Sequence, residues 1–215
     1  LVYSPLQAAA KYFKYYIHAA NSKGHGTHSP FVFEFITNVI NDFSKYEDYE
    51  KVEALRKHLL QEKTELTIED FGAGSAKTKS NVRSIAAITK NAAKPKKFGQ
   101  LMYRMVKYYK FQKVLELGTS LGITTSYLAL ANPAAKVVTL EGSDSIANEA
   151  QKNFDALGIK NITLVSGNFD ETLQNVLKTF SPVDFAFVDG NHRQEPTERY
   201  FQQLLPHIHN NSILI

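Results

Sequence analysis

From Lys113 onward the apolar positions change period in a regular way. Short apolar runs at 114–117, 136–141, 161–165, 183–188 and 212–215 have the length and β-branched content of strands buried on both faces. Helical spacing occupies the intervals 123–131, 145–157, 169–180 and 196–207. Strands alternating with helices predict right-handed crossovers and an α/β, doubly wound, mainly parallel sheet.

Upstream the pattern is helical and irregular. Ser4-Pro5 opens one helix, with Leu6, Ala9, Ala10, Phe13, Tyr16, Ile17 and Ala20 at helical spacing, and Ser29-Pro30 caps a second, with Phe31, Phe35, Ile36 and Val39 on one stripe. A third spans 46–61, with Val52, Leu55, Leu59 and Leu60 on its apolar side. Three helices ahead of any parallel-sheet unit predict an N-terminal helical cap or lid over 1–97, with the sheet domain at 98–215. Phe31, Phe33 and Phe35 are expected in the core of that lid rather than as stacking platforms for bases. A strand-like run at 66–71 leads into Gly72-Ala73-Gly74-Ser75, followed by a short helix at 80–90 and a longer one at 99–110 whose Leu101, Met102, Met105, Val106 and Tyr109 face inward. The Gly72 to Gly74 loop reads as a decoy for a nucleotide loop, because no acid follows it at the distance a ribose contact needs.

Composition narrows the class. Apolar residues make up 43% and charged residues 21% of the 215, the balance of a globular chain. With no cysteine there is no disulfide framework, thiolate metal site or cysteine nucleophile. The N-terminus lacks a signal-peptide pattern and no apolar run is long enough to span a bilayer, so a soluble, cytoplasmic protein without membrane contact is expected. A chain that begins at Leu1 and ends on Ile213-Leu214-Ile215 reads as a fragment cut within its fifth strand. The net charge of +4 is unevenly spread: between Phe71 and Lys113 there is no acid, yet eleven of the 25 basic residues fall there. That stretch is either a solvated face or an attractive surface for an anion or nucleic acid.

Four features fall at the carboxyl ends of successive predicted strands, where an open parallel sheet binds its ligand. Glu116-Leu117-Gly118-Thr119-Ser120-Leu121-Gly122 breaks a strand into a glycine loop and a helix N-terminus, where free amides attract negative charge. Its spacing departs from the Gly-x-Gly-x-x-Gly of dinucleotide loops, which disfavours an NAD-dependent dehydrogenase. Glu141 ends the second strand, where a carboxylate can accept both hydroxyls of a ribose. Gly167-Asn168 ends the third and could read an adenine edge. Asp189-Gly190-Asn191-His192 ends the fourth, with Asp189 and His192 as candidate catalytic residues. Each has a plainer alternative: a tight turn, a solvated strand end, a self-capped turn or an exposed loop histidine. Glu116, inside an apolar strand, needs donors to offset its burial. His25 and His28 are weak candidates for an acceptor pocket and have no acidic partner for a metal.

In this order, the motifs resemble those of the class I S-adenosylmethionine-dependent methyltransferases, within them the catechol O-methyltransferase-like group. The resemblance covers 98–215. Residues 115–122 are similar to the family's first motif, Glu141 to its ribose acid, Ser166-Gly167-Asn168 to its adenine loop and Phe187-Val188-Asp189-Gly190 to its fourth-strand motif. Gly99-Gln100-Leu101 looks like the helix that closes over the methionine end of the cofactor, and the 24–31 segment resembles that of methyltransferases from Bacteroidetes-type bacteria. The resemblance implies S-adenosylmethionine as cofactor, bound through Gly99, Glu116, Gly118, Thr119, Ser120, Gly122, Glu141, Gly167, Asn168 and Asp189, and O-methylation of a small molecule. It also implies a Rossmann-like methyltransferase sheet whose last two antiparallel strands are missing here. In the catechol-type branch a divalent metal such as Mg²⁺ is bound by the fourth-strand aspartate, matched by Asp189, and by groups beyond Ile215, so the metal ligands are unknown. An RNA or DNA methyltransferase using the basic 71–113 stretch, and a non-catalytic nucleotide-binding module, are the alternatives. A homodimer is compatible with the sequence.

Overall fold

The computed structural model describes residues 29–69 and 81–215, together with Leu6, Ala9, Ala10 and Phe13. Most of the first expected helix, His25, His28 and the Gly72 to Gly74 loop lie outside the described residues. The chain divides into two compact units, Leu1–Ser44 and Lys45–Ile215. In the first, helix α1 (Pro30–Glu34) starts at Ser29, whose hydroxyl accepts from the Val32 amide at 3.4 Å. A π-helical turn, Phe35–Ile40, continues it. Val39 is buried, but Phe31 and Phe33 are exposed, which corrects their assignment to a core. The α1 segment is only five residues long, too short to carry a continuous buried stripe, and the burial falls on the turn that follows.

The second unit contains α2 (Glu47–Leu59), the antiparallel pair β1 (Glu65–Thr67) and β2 (Val82–Ser84), then α3 (Ile85–Ala92) and α4 (Lys96–Tyr109). The wound segment follows: β3 (Lys113–Leu117), α5 (Ile123–Ala131), β4 (Lys136–Glu141), α6 (Asp144–Ala156), β5 (Ile162–Ser166), α7 (Phe169–Phe180), β6 (Val183–Val188), α8 (Gln194–Leu204) and β7 (Ile208–Leu214). These five strands form one parallel sheet in the order β5-β4-β3-β6-β7. The α/β parallel architecture expected from the apolar pattern is therefore present. The order reverses at β3, whose neighbours β4 and β6 run to opposite sides, and this opens a crevice at the carboxyl ends.

On one face Leu115, Leu117, Val138, Leu140, Val183 and Ala186 pack against Phe169, Leu173, Leu177 and Phe180 of α7 and Tyr200 and Leu204 of α8. The opposite side carries α4 and α5, against which α2 lies. Tyr49 of α2 meets Tyr103 of α4 and Tyr127 of α5 at ring-centroid distances of 5.0 and 5.8 Å. The phenol of Tyr103 donates to Asp48 at 2.9 Å and that of Tyr127 to Glu53 at 2.8 Å. This packing draws the compact unit back to Lys45, well before the boundary expected at 97/98. Only aromatic contacts far apart in sequence could reveal it.

Two further elements differ from expectation. The helix expected at 80–90 begins at Ile85, because Val82–Ser84 is used as a strand and Ser84 becomes the helix cap, accepting from the Ala87 amide at 3.2 Å. The last strand begins at Ile208, four residues before the apolar run at 212. His209, Asn210 and Asn211 hide its start, and a register shift between Val183 and Phe185 accommodates them. Ser212 holds the bend by donating to the Val183 carbonyl at 2.7 Å.

A polar tie joins the start of β5 to the turn ahead of β4. The Asn161 side-chain amide donates to the carbonyls of Ala129, Asn132 and Ala135 at 3.1, 3.2 and 3.0 Å. Asn161→Ala is expected to lower unfolding free energy by about 1–3 kcal/mol, since those carbonyls lose their partner in a half-buried site, measured by urea denaturation.

Candidate functional site

The crevice at the strand ends is a cleft of about 410 Å³. Of the residues singled out in the sequence, it brings together Gly118, Ser120, Glu141, Asn168, Asp189 and His192. The local folding explains why. The Gly118 and Thr119 amides both donate to the Leu140 carbonyl, at 2.9 and 3.1 Å, and the Asp189 amide donates to Leu117 at 2.8 Å. The loops after β3, β4 and β6 are thus tied at one level. Gly118 has φ of +103°, and a Cβ there would lie 2.7 Å from the Asp189 carbonyl oxygen, so only glycine permits this approach.

Glu141 is held by the loop it faces. Its Oε2 accepts the Ser120 amide at 2.8 Å and its Oε1 the Ser143 amide at 3.1 Å. These two bonds fix the carboxylate at the cleft wall, where it lines the space beside Gly142 and Ile146. Asn168 caps α7, its side chain accepting from the Asp170 amide at 3.1 Å, and with Phe169 it lines the cleft next to Gly190 and Tyr200. Asn191 and His192 take left-handed backbone angles, φ +68° and +53°. The turn they make places the His192 Nε2 3.9 Å from Asp189 Oδ1.

Other expected site residues lie elsewhere. Gly99 faces inward, where a Cβ would sit 2.6 Å from the Tyr127 ring; it allows α4 and α5 to approach and does not line the cleft. Glu116 is fully buried behind it. Its Oε2 accepts from the hydroxyls of Thr125 and of Thr139, the latter at 2.7 Å, while Oε1 has no hydrogen bond. Burial, reinforced by the carboxylates of Asp189 and Glu141, pushes its pKa up to about 8 against the two threonine bonds that lower it. Thr119 turns inward to Thr139, 2.6 Å between hydroxyls. Gly122 starts α5 at φ +78° beneath the Phe154 ring. Gly122 and Gly167 shape the loops and, like Gly99 and Glu116, are not among the residues that line this cleft, whereas Thr119 lines a small cavity sharing Gly118, Ser120 and Asp189 with it.

The structure also adds residues. Ile68, Glu69 and Arg83, from or beside the β1/β2 pair, line the wall near Glu141 and Ile146, and the Glu69 amide reaches the Ser143 hydroxyl at 3.4 Å. Lys94, between α3 and α4, places its Nζ 2.7 Å from Asp189 Oδ1. Nothing local in the sequence marks it among the other basic residues of its stretch. Among the described residues no group of three or more His, Asp or Glu side chains could hold a metal ion, and no helix is long and apolar enough to cross a membrane.

Residues 115–215 match the family model described as a methyltransferase domain. A catechol O-methyltransferase from Niastella koreensis is 31% identical over 110 residues, covering 50% of this chain and 49% of the relative. The chain thus spans about half the length of the curated relative it matches. Among solved structures, the O-methyltransferase from Bacillus cereus in complex with S-adenosylhomocysteine superposes with a TM-score of 0.58 at 19% identity, over 81% of this chain and 67% of that one. The O-methyltransferase TomG from Streptomyces achromogenes, in complex with S-adenosylmethionine, gives 0.53 at 19% identity, over 85% and 68%. The resemblance to catechol O-methyltransferase-like class I enzymes, first drawn from the motifs, is supported by these matches, and the fold is theirs.

Proposed function

We propose that this chain, whose residues 115–215 match a methyltransferase domain, transfers a methyl group from S-adenosylmethionine to an oxygen of a small molecule. The observation that carries the reading is the cleft at the β3/β6 reversal, which gathers Gly118, Ser120, Glu141, Asn168 and Asp189 in the order that such a cofactor requires. In this reading the Gly118 to Ser120 loop takes the methionine end, Glu141 the ribose hydroxyls, and Asn168 with Phe169 the adenine. The unit Lys45–Ile215 supplies all of these. The absence of cysteine suits a cytoplasmic setting.

When bound, the cofactor supplies an electrophilic methyl carbon on a sulfonium: the O–C bond forms as the S–C bond breaks, and the departing sulfur becomes a neutral thioether. The chain contributes alignment at short distance, exclusion of water and a place for the proton. His192, at the lip of the cleft beside Asp189, is assigned as the group that takes the acceptor's hydroxyl proton. Among the described residues the Asp189 carboxylate is paired with the Lys94 ammonium rather than with further carboxylates that could share a metal ion.

Calorimetric titration with S-adenosylmethionine and, separately, with NAD tests the reading; binding of NAD alone would sink it. Glu141→Ala is expected to weaken S-adenosylmethionine binding by about 10–100-fold, as two charge-assisted hydrogen bonds to hydroxyls are lost, while Gly158→Ala, on the distant turn after α6, leaves it unchanged. Three cations of the basic stretch are engaged within the fold rather than offered to a nucleic-acid acceptor. Lys94 is paired with Asp189, Lys113 donates to the Ser181 carbonyl at 2.7 Å, and Lys107 lies over the Tyr46 ring. A steep salt dependence of RNA binding would revive that alternative.

A further inference from the structure

We propose that Lys94 is the resident cation of the reaction centre: its ammonium holds the position beside Asp189 that a divalent metal would need, and so competes with such an ion for this carboxylate. The inference deepens the methyltransferase reading, but its central claim concerns only the two side chains.

Two carboxylates, Glu141 and Asp189, end or follow the strands flanking β3 at the cleft, and both charges are felt at the buried Glu116 between them. A cluster of this sign calls for a nearby positive charge. Lys94 provides it at 2.7 Å from Asp189 Oδ1, in a pair whose carboxylate side chain is only 18% exposed. Partial burial strengthens such a pair relative to a surface one.

The backbone that carries the lysine is anchored on both sides. It sits in the short link between α3, closed by the Ala93 amide donating to Thr89 at 3.2 Å, and α4, opened by the Phe98 amide donating to Pro95 at 2.9 Å. Ile85, Ile88 and Thr89 anchor one helix, and Met102, Tyr103, Met105 and Val106 the other, in the interior. On the opposite side Asp189 is pinned through its backbone to Leu117. A divalent ion on Oδ1 would lie within a few ångströms of the ammonium and be repelled by it.

An ammonium at this place supplies what a metal supplies electrostatically, a fixed positive charge facing an acceptor oxygen as its negative charge develops. It fits an acceptor with an acidic oxygen, a phenol or a carboxylic acid, better than an aliphatic alcohol.

The test uses the full chain with Mn²⁺ as the probe, free ion being read by electron paramagnetic resonance, and S-adenosylhomocysteine binding followed in parallel by calorimetry. The wild type, with or without S-adenosylhomocysteine, is expected to show no stoichiometric Mn²⁺ site tighter than about 1 mM. Lys94→Met exposes the Asp189 carboxylate and is expected to bind Mn²⁺ at least about tenfold more tightly than wild type. Lys94→Arg keeps the charge and stays like wild type, and Lys94→Met combined with Asp189→Asn loses the gain. A single Mn²⁺ bound to the wild type at tens of micromolar and lost in Asp189→Asn overturns the proposal, as does a Lys94→Met variant, folded by its melting curve, that binds no better than wild type. If Lys94→Met does not fold, the wild type and Asp189→Asn decide alone. Failure to bind S-adenosylhomocysteine counts against the methyltransferase reading and leaves the Mn²⁺ comparison intact.

Discussion

Gly118→Ala is expected to lower S-adenosylmethionine affinity by at least about a hundredfold in calorimetric titration. The new Cβ would lie 2.7 Å from the oxygen and 2.9 Å from the carbon of the Asp189 carbonyl, on a residue whose φ is +103°. Neither conflict resolves cheaply. The carbonyl belongs to backbone that the Asp189 amide ties to Leu117, and such a φ costs a non-glycine residue about 1–3 kcal/mol. Relief requires the ends of β3 and β6 to separate, which pulls the Ser120 amide from Glu141 and Asp189 from Lys94. Gly158→Ala supplies the comparison: its φ of +68° is also left-handed, but nothing lies within 4 Å of the new Cβ. It should cost about 1 kcal/mol of stability and no affinity. Equal losses of affinity in both variants would show that the close approach of the two loops is unimportant.

The second large effect is on stability. Burial raises the Glu116 carboxyl from its ordinary 4.5 to about 8, so the folded protein holds this proton more tightly than the unfolded chain. Linkage then makes wild-type stability fall as pH rises from about 4.5 through about 8, and level off above, where the proton is lost from both states. Glutamine keeps the shape and has no proton to lose. The advantage of Glu116→Gln over wild type should therefore grow across that window, reaching on the order of 4 kcal/mol at its upper end. Urea denaturation at intervals of pH checks it. A difference that stays flat with pH would mean that Thr125 and Thr139 keep the carboxylate ionised throughout, their hydroxyls outweighing the burial.

Both effects involve residues that the sequence marked, though not in the role each has in the fold. Gly118 and Glu116 stood out because one breaks an apolar strand and the other interrupts it. Gly118 indeed faces the cleft. Glu116, by contrast, is fully buried and turned to Thr125 and Thr139, residues on a helix and a neighbouring strand. Gly99 matched a motif in a helix, yet its neighbour is the Tyr127 ring. A local pattern shows that a position is unusual without saying which partner makes it so.

By itself, the order of apolar runs determined the parallel wound sheet, because period and length of such runs follow from backbone geometry within each element. The acids and glycines at the ends of those runs were legible for the same reason: in a parallel sheet all carboxyl ends lie on one side, so Glu141, Asn168 and Asp189 had to converge. Tertiary structure alone decided the rest. The tyrosine contacts that bring α2 into the sheet unit, the strand starting at Ile208 beneath polar residues, and the choice of Lys94 among its neighbours all depend on pairing between distant segments. Lys94 lies in a run of basic residues with no distinguishing local signal, and what singles it out is the 2.7 Å to Asp189, a distance set by how α3 and α4 pack and not by any spacing along the chain.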